Sequence, residues 1–113
     1  MLQSICYRNL GMTYVKLKKG RLAVENCDKA LGIDADNLKS LYWKAQGLMI
    51  LNDLGRAKAV LEQLTDRDPT NGAVKKAHKQ LAKLFQQQKR LEKQRYKRLF
   101  GGKSVKRAQA PTS

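Results

Sequence analysis

Small and apolar residues recur at spacings of three and four along the first two thirds of the chain, in short blocks separated by polar turns. Tyr7, Leu10, Gly11 and Tyr14 share one face, and the spacing predicts a helix over about 3–18. Leu22, Ala23, Asn26, Cys27 and Ala30 continue the pattern over 21–31 after a turn at Lys19-Gly20, and Gly32 stands where a left-handed C-cap would end that helix. Leu41, Ala45 and Leu48 predict a third helix over 38–51, with Asp36 or Asn37 as its N-cap. Ala57, Leu61 and Leu64 predict a fourth, from 54 or 55 to 65, beyond the turn at Asn52-Asp53. Pro69 closes this block, because proline lacks a backbone donor and disfavours the helical conformation at Asp68. Thr70 or Asn71 is placed to cap a fifth helix, and 72–100 lacks internal proline and glycine, as one long helix requires.

Sliding the chain by 34 residues lays the second pair of helices over the first. Tyr7 falls on Leu41, Gly11 on Ala45, Tyr14 on Leu48, Ala23 on Ala57, Cys27 on Leu61 and Ala30 on Leu64. This period, with small residues at the eighth and twentieth places, resembles the tetratricopeptide helix-turn-helix repeat. The expectation is an all-α chain: two repeats over 1–69, a long basic helix over 70–100 and a disordered tail over 101–113. Val74, Ala77, Leu81, Leu84 and Phe85 give the start of the long helix an apolar face, suited to covering the last repeat.

At 113 residues the chain holds one domain's worth of sequence, and its net charge of +15 is unevenly placed. Residues 1–72 carry 11 basic and 8 acidic side chains, whereas 73–113 carry 13 and 1. The repeats are nearly balanced; the C-terminal arm is strongly cationic. Cys6 and Cys27 lack metal-ligand spacing, and Cys27 takes a core place in the register, which fits reduced thiols in an intracellular, cytoplasmic or nuclear, setting. No secretory leader precedes the first helix, and the longest apolar run, 48–51, is far short of the about 20 residues a membrane span needs. His78 has no partner at catalytic or ligand spacing and reads as a surface or packing residue. No cofactor or metal is expected, and no enzyme.

Two repeats fall below the about three needed for independent stability, which suggests the C-terminal part of a larger protein. Leu2 and Ile5 then lie on an outer face, open to an upstream helix or to dimerisation through the N-terminal helix.

Several runs resemble a narrower group. Arg8-Asn9-Leu10-Gly11-Met12-Thr13-Tyr14-Val15-Lys16-Leu17, Cys27-Asp28-Lys29-Ala30-Leu31-Gly32-Ile33-Asp34 and Lys39-Ser40-Leu41-Tyr42 are similar to the last two repeats of large FKBP-type immunophilins. Tyr96-Lys97-Arg98-Leu99-Phe100 is similar to the close of that family's final helix. Aryl-receptor-interacting co-chaperones and Shutdown share much of this pattern. The family's isomerase domain lies upstream of its repeats, and nothing in this chain corresponds to it. The resemblance implies a non-catalytic, co-chaperone-type module whose groove takes the acidic C-terminal tail of heat shock protein 90 through a carboxylate clamp.

By that resemblance Asn9 matches the clamp asparagine and Lys39 the clamp lysine. Trp43 stands where the family usually has an arginine, and the first repeat's lysine is absent with that repeat. Replacing guanidinium by indole removes a charge-assisted hydrogen bond of about 1.5–3 kcal/mol, or about tenfold to hundredfold in affinity. The expected groove set is Asn9, Lys39, Tyr42, Trp43, Gln46 and Lys76, with Lys44 and Lys76 as sources of nearby charge. Trp43 is open to two readings, an aromatic platform for an apolar peptide side chain or a space-filler against an upstream helix.

The arm residues Lys89, Arg90, Lys93, Arg95, Lys97 and Arg98 lie between Phe85 and Leu99. Three readings stand: a solvated helix, a basic amphipathic helix of the calmodulin-target kind, or non-specific contact with RNA or DNA backbone.

Overall fold

A computed structural model describes residues 2–100, which form five helices: α1 (Leu2–Lys16), α2 (Gly20–Ile33), α3 (Leu38–Ile50), α4 (Leu54–Arg67) and α5 (Gly72–Phe100). The tail expected over 101–113 lies outside the described residues. Helices α1 and α2 form one helix-turn-helix unit, α3 and α4 the next. Helix α1 packs on α2 and α3, and α3 packs on α2 and α4.

The 34-residue register extends to the backbone of the turns. Lys18 and Asn52, one period apart, both take the left-handed conformation with φ 61°. At the first turn Lys18 N–H donates to Val15 C=O and Lys19 N–H to Tyr14 C=O, at 2.9 and 2.8 Å. At the second, Asn52 N–H donates to Met49 C=O and Asp53 N–H to Leu48 C=O, at 3.0 and 2.9 Å. These are paired Schellman closures, which satisfy the carbonyls left free at a helix end. Asn37 and Asn71 repeat in the same way as N-caps. The Asn37 side chain accepts from Ser40 N–H at 3.1 Å, and that of Asn71 from Ala73 and Val74 N–H at 2.8 and 3.3 Å.

Two expectations about glycine are corrected. The first turn lies at Leu17-Lys18-Lys19, and Gly20 is already the first residue of α2. Gly20 meets α3: a Cβ there would sit 2.7 Å from the Gly47 carbonyl oxygen, so the missing side chain is what lets α2 and α3 approach. Gly32 does not adopt a left-handed C-cap, since no described glycine has positive φ. Helix α2 runs through it to Ile33 and leaves in an extended conformation at Asp34, whose N–H still reaches Ala30 C=O.

The core follows the register on α2, α3 and α4, joined by Val24, Met49, Leu54 and Val60, while Tyr7 and Tyr14 of α1 are only half-buried. Ala23, Cys27, Ala30, Ala45, Leu48, Ala57 and Leu61 are fully buried, with Leu41 and Leu64 nearly so. Removing such side chains from water is the main stabilising term, worth about 1.5–3 kcal/mol for each leucine. Among the described residues two buried side chains are polar, Ser4 and Ser40. The Ser4 hydroxyl donates to Ala30 C=O at 3.4 Å, whereas Ser40 Oγ has no partner.

Contacts divide the chain into two compact units, Met1–Ala82 and Lys83–Ser113. In the first, Val74, Ala77 and Leu81 of α5 are buried, as its apolar spacing requires. His78 is half-buried on the same stretch. Its Nε2 lies 2.8 Å from Thr65 Oγ1 of α4; with that hydroxyl donated to Leu61 C=O, the oxygen accepts from Nε2–H. The second unit is helical through Phe100 and exposes Leu91, Tyr96, Leu99 and Phe100 along with its basic side chains. Tyr96 and Phe100 stack along it, with ring centroids 4.9 Å apart.

Candidate peptide-binding site

Helices α1 and α3 pack on each other, and residues of both line a common hollow. Its volume is about 380 Å³, at the lower end of the roughly 300–1,000 Å³ usual for ligand pockets. Helix α1 contributes Arg8, Asn9 and Met12, a one-turn cluster. Helix α3 contributes Leu38, Lys39, Tyr42 and Trp43, again clustered within about a turn. Leu64 of α4, the capping Asn71, and Ala73 and Val74 of α5 close the far side.

Four of the six residues expected in the groove, Asn9, Lys39, Tyr42 and Trp43, are brought together here. Asn9 and Lys39 are exposed; Tyr42 and Trp43 are half-buried and pack edge to face, with ring centroids 4.9 Å apart and planes at 78°. Gln46 lies one turn beyond Tyr42, donates to its hydroxyl at 3.2 Å and to Gln80 Oε1 of α5 at 3.3 Å, and is not a wall of the hollow. It holds the tyrosine rather than the opening. Lys76 is exposed on α5 and also lies outside the lining set.

Lys44 does not supply charge to the hollow either. Its Nζ is 2.8 Å from Asp28 Oδ1 of α2, which neutralises it on the other side of α3.

Sequence reasoning missed Arg8 and Met12 as groove residues, and also Leu38, Leu64, Asn71, Ala73 and Val74. A usable signal was present for the first two: moving Tyr42 and Gln46 back by 34 residues lands on Arg8 and Met12, the same faces of α1. No carboxylate lines the hollow. The described ion pairs are Lys44–Asp28, Arg56–Asp53 and Arg67–Asp36, so neither Arg8 nor Lys39 is neutralised among the described residues. Asn71 is already engaged, capping α5 and donating to Asp68 Oδ2 at 3.0 Å. The hollow therefore combines two cations, unpaired among the described residues, and an open amide with aromatic and aliphatic groups, on α1 and α3 alike.

The remaining chemistry is sparse. Among the described residues no group of three or more His, Cys, Asp or Glu side chains could hold a metal ion, and no helix is long and apolar enough to cross a membrane. Cys6 is exposed and Cys27 buried. Burial, with Asp28 beside it and against the opposing pull of Lys44, pushes the Cys27 thiol up from 9.0 to about 12. It is an inert core thiol. On α1, Leu2, Ile5 and Leu10 are exposed.

The chain is 33% identical over 93 residues to the peptidyl-prolyl cis-trans isomerase FKBP4 of Bos taurus, covering 82% of this chain and 19% of that one. It is 33% identical over 99 residues to FKBP4 of Homo sapiens, covering 88% and 21%. It thus spans about a fifth of the length of these relatives. Among solved structures it is similar to the Hsp90 co-chaperone Cns1 from Saccharomyces cerevisiae, with a TM-score of 0.75 and 26% identity, over 86% of this chain and 31% of that one. The tetratricopeptide repeat pattern itself matches residues 6–37 and 38–71, the two helix pairs described above. The chain belongs to the tetratricopeptide repeat family, a protein-interaction fold.

Proposed function

We propose that this chain is a non-catalytic docking module that holds a short peptide segment of a protein partner in the hollow between α1 and α3. The observation that carries this reading is the convergence of Asn9, Lys39, Tyr42 and Trp43 from two successive repeats on one cavity without an acidic wall. The acidic C-terminal tail of heat shock protein 90 is the favoured ligand. Asn9 and Lys39 bind its carboxylates, in keeping with the similarity to a protein named as an Hsp90 co-chaperone. Prolyl isomerisation, the activity in the name of the FKBP4 relatives, is assigned to sequence outside the matched fifth. A cytoplasmic setting follows from the same partner.

Calorimetry of the whole chain with the acidic tail peptide tests this. Measurable binding that Lys39→Gln weakens about tenfold and Lys44→Gln leaves unchanged is the expected result. Undetectable binding at millimolar peptide removes the chaperone assignment.

The arm supports a second reading. Leu91, Tyr96, Leu99 and Phe100 are exposed on the same helix as Lys89, Arg90, Lys93, Arg95, Lys97 and Arg98, which suits an acidic partner with an apolar groove better than a nucleic-acid backbone. Capture by calmodulin that requires calcium supports it; capture that persists without calcium points to plain charge attraction.

A further inference from the structure

We propose that Arg8 is the second anion-binding cation of the groove, and that it works with Trp43 to select a peptide carrying a carboxylate next to a large apolar side chain. This rests on the docking reading above and adds to it a residue and a ligand chemistry.

Arg8 is half-buried in the wall of the hollow, beside Asn9 on the same turn of α1. Its register counterpart in the second repeat is Tyr42, and that of Asn9 is Trp43. The second repeat thus presents rings at the two places where the first presents a guanidinium and an amide. At this register position the cation stands on α1, where α3 carries a ring, so Arg8 adds to Lys39 rather than replacing it. Arg8 has no carboxylate within 4 Å among the described residues, and the Asn9 side-chain amide makes no hydrogen bond there. Both are free to receive a ligand. A guanidinium offers a planar fork that pairs with a carboxylate through two parallel bonds, which an ammonium cannot do.

The apolar part of the lining sets the second requirement. Trp43, Met12 and Leu38 offer apolar surface, and burying a leucine-sized side chain against it gains what a purely acidic ligand would forgo. At about 380 Å³ the hollow admits one or two side chains rather than a long segment. Adjacent positions in the peptide must therefore supply both chemistries.

The test uses the full chain and acetylated decapeptides in which glutamate or glutamine adjoins leucine or alanine, each made with a free and an amidated C-terminus. Fluorescence anisotropy gives Kd for the wild type, Arg8→Gln, Arg8→Lys and Trp43→Ala, with circular dichroism confirming that each variant is folded. Among the amidated peptides Arg8→Gln is expected to weaken the glutamate ones about tenfold and to leave the glutamine ones unchanged, with Arg8→Lys intermediate. Trp43→Ala is expected to erase the preference for leucine over alanine. Comparison of the free and amidated forms tells whether the carboxylate is terminal or from a side chain. If the wild type binds these peptides and Arg8→Gln loses nothing, or loses the amidated glutamate and amidated glutamine peptides equally, the Arg8 assignment is wrong while docking stands. If the wild type binds none of them, or the tail peptide, docking and Arg8 fall together.

Discussion

A methyl group on Gly11 would lie 2.5 Å from the Cys27 sulfur, so α1 and α2 meet through a bare backbone on one side and a thiol on the other. Two atoms cannot share that space without displacement. Gly11→Ala is expected to destabilise the chain by about 1–3 kcal/mol, the usual cost of overpacking a filled core. The double variant Gly11→Ala, Cys27→Ala should recover much of that loss, because the second change removes the sulfur the first would strike. Urea midpoints of the four chains check this, and strictly additive effects would refute it.

The same thiol makes stability depend on alkaline pH. In the unfolded chain it ionises near 9.0, whereas in the fold it stays protonated to about 12. Between those values the unfolded state holds fewer protons, so stability is full below pH 9 and falls as pH rises, by up to about 1.4 kcal/mol per unit. Other groups titrate in this window, so the informative quantity is the difference between the wild type and Cys27→Ala in the slope of ΔG against pH. The variant should show the shallower decline. A thiol reagent should reach Cys6 in the native protein and Cys27 after unfolding.

Lys18 and Asn52 close equivalent turns in a conformation that disfavours a side chain, and lysine tolerates it less well than asparagine. Lys18→Gly should raise stability by about 0.5–1 kcal/mol, and Asn52→Gly by less. Thermal melts of both rank the two; a larger gain at Asn52 would contradict the account.

Ser40 is completely buried, with a hydroxyl that bonds to nothing. An unpaired buried polar group costs about 1–3 kcal/mol, and alanine is the better helix former. Ser40→Ala is therefore expected to stabilise by about 1 kcal/mol, read as a higher urea midpoint with unchanged slope.

The fold is legible because the repeat writes each core position twice. Ala23 and Ala57, Cys27 and Leu61, and Ala30 and Leu64 are weak signals singly and a strong one in register, and all six are buried. The same register narrows each capping asparagine to one of two neighbours. The turns mislead where glycine serves packing instead of conformation: Gly20 makes room for Gly47, while Lys18 takes the left-handed place. Four of the eleven lining residues of the groove are legible in the sequence. Asn9 and Lys39 come from the family resemblance and Tyr42 and Trp43 from their place beside Lys39 on α3, but Arg8 and Met12 emerge only when the face of α3 is projected onto α1. Lys76 satisfies that projection and still falls outside the hollow, where Ala73 and Val74 are the α5 residues that reach it.

Because α1 touches α2 and α3, and α3 touches α4, every packing partner in the repeats is close along the chain. Assembly needs no distant ends to find each other, so folding should be a zippering reaction of microseconds to milliseconds. By the same logic damage stays parochial: loosening one terminal rod frays that rod first and leaves its far neighbours docked.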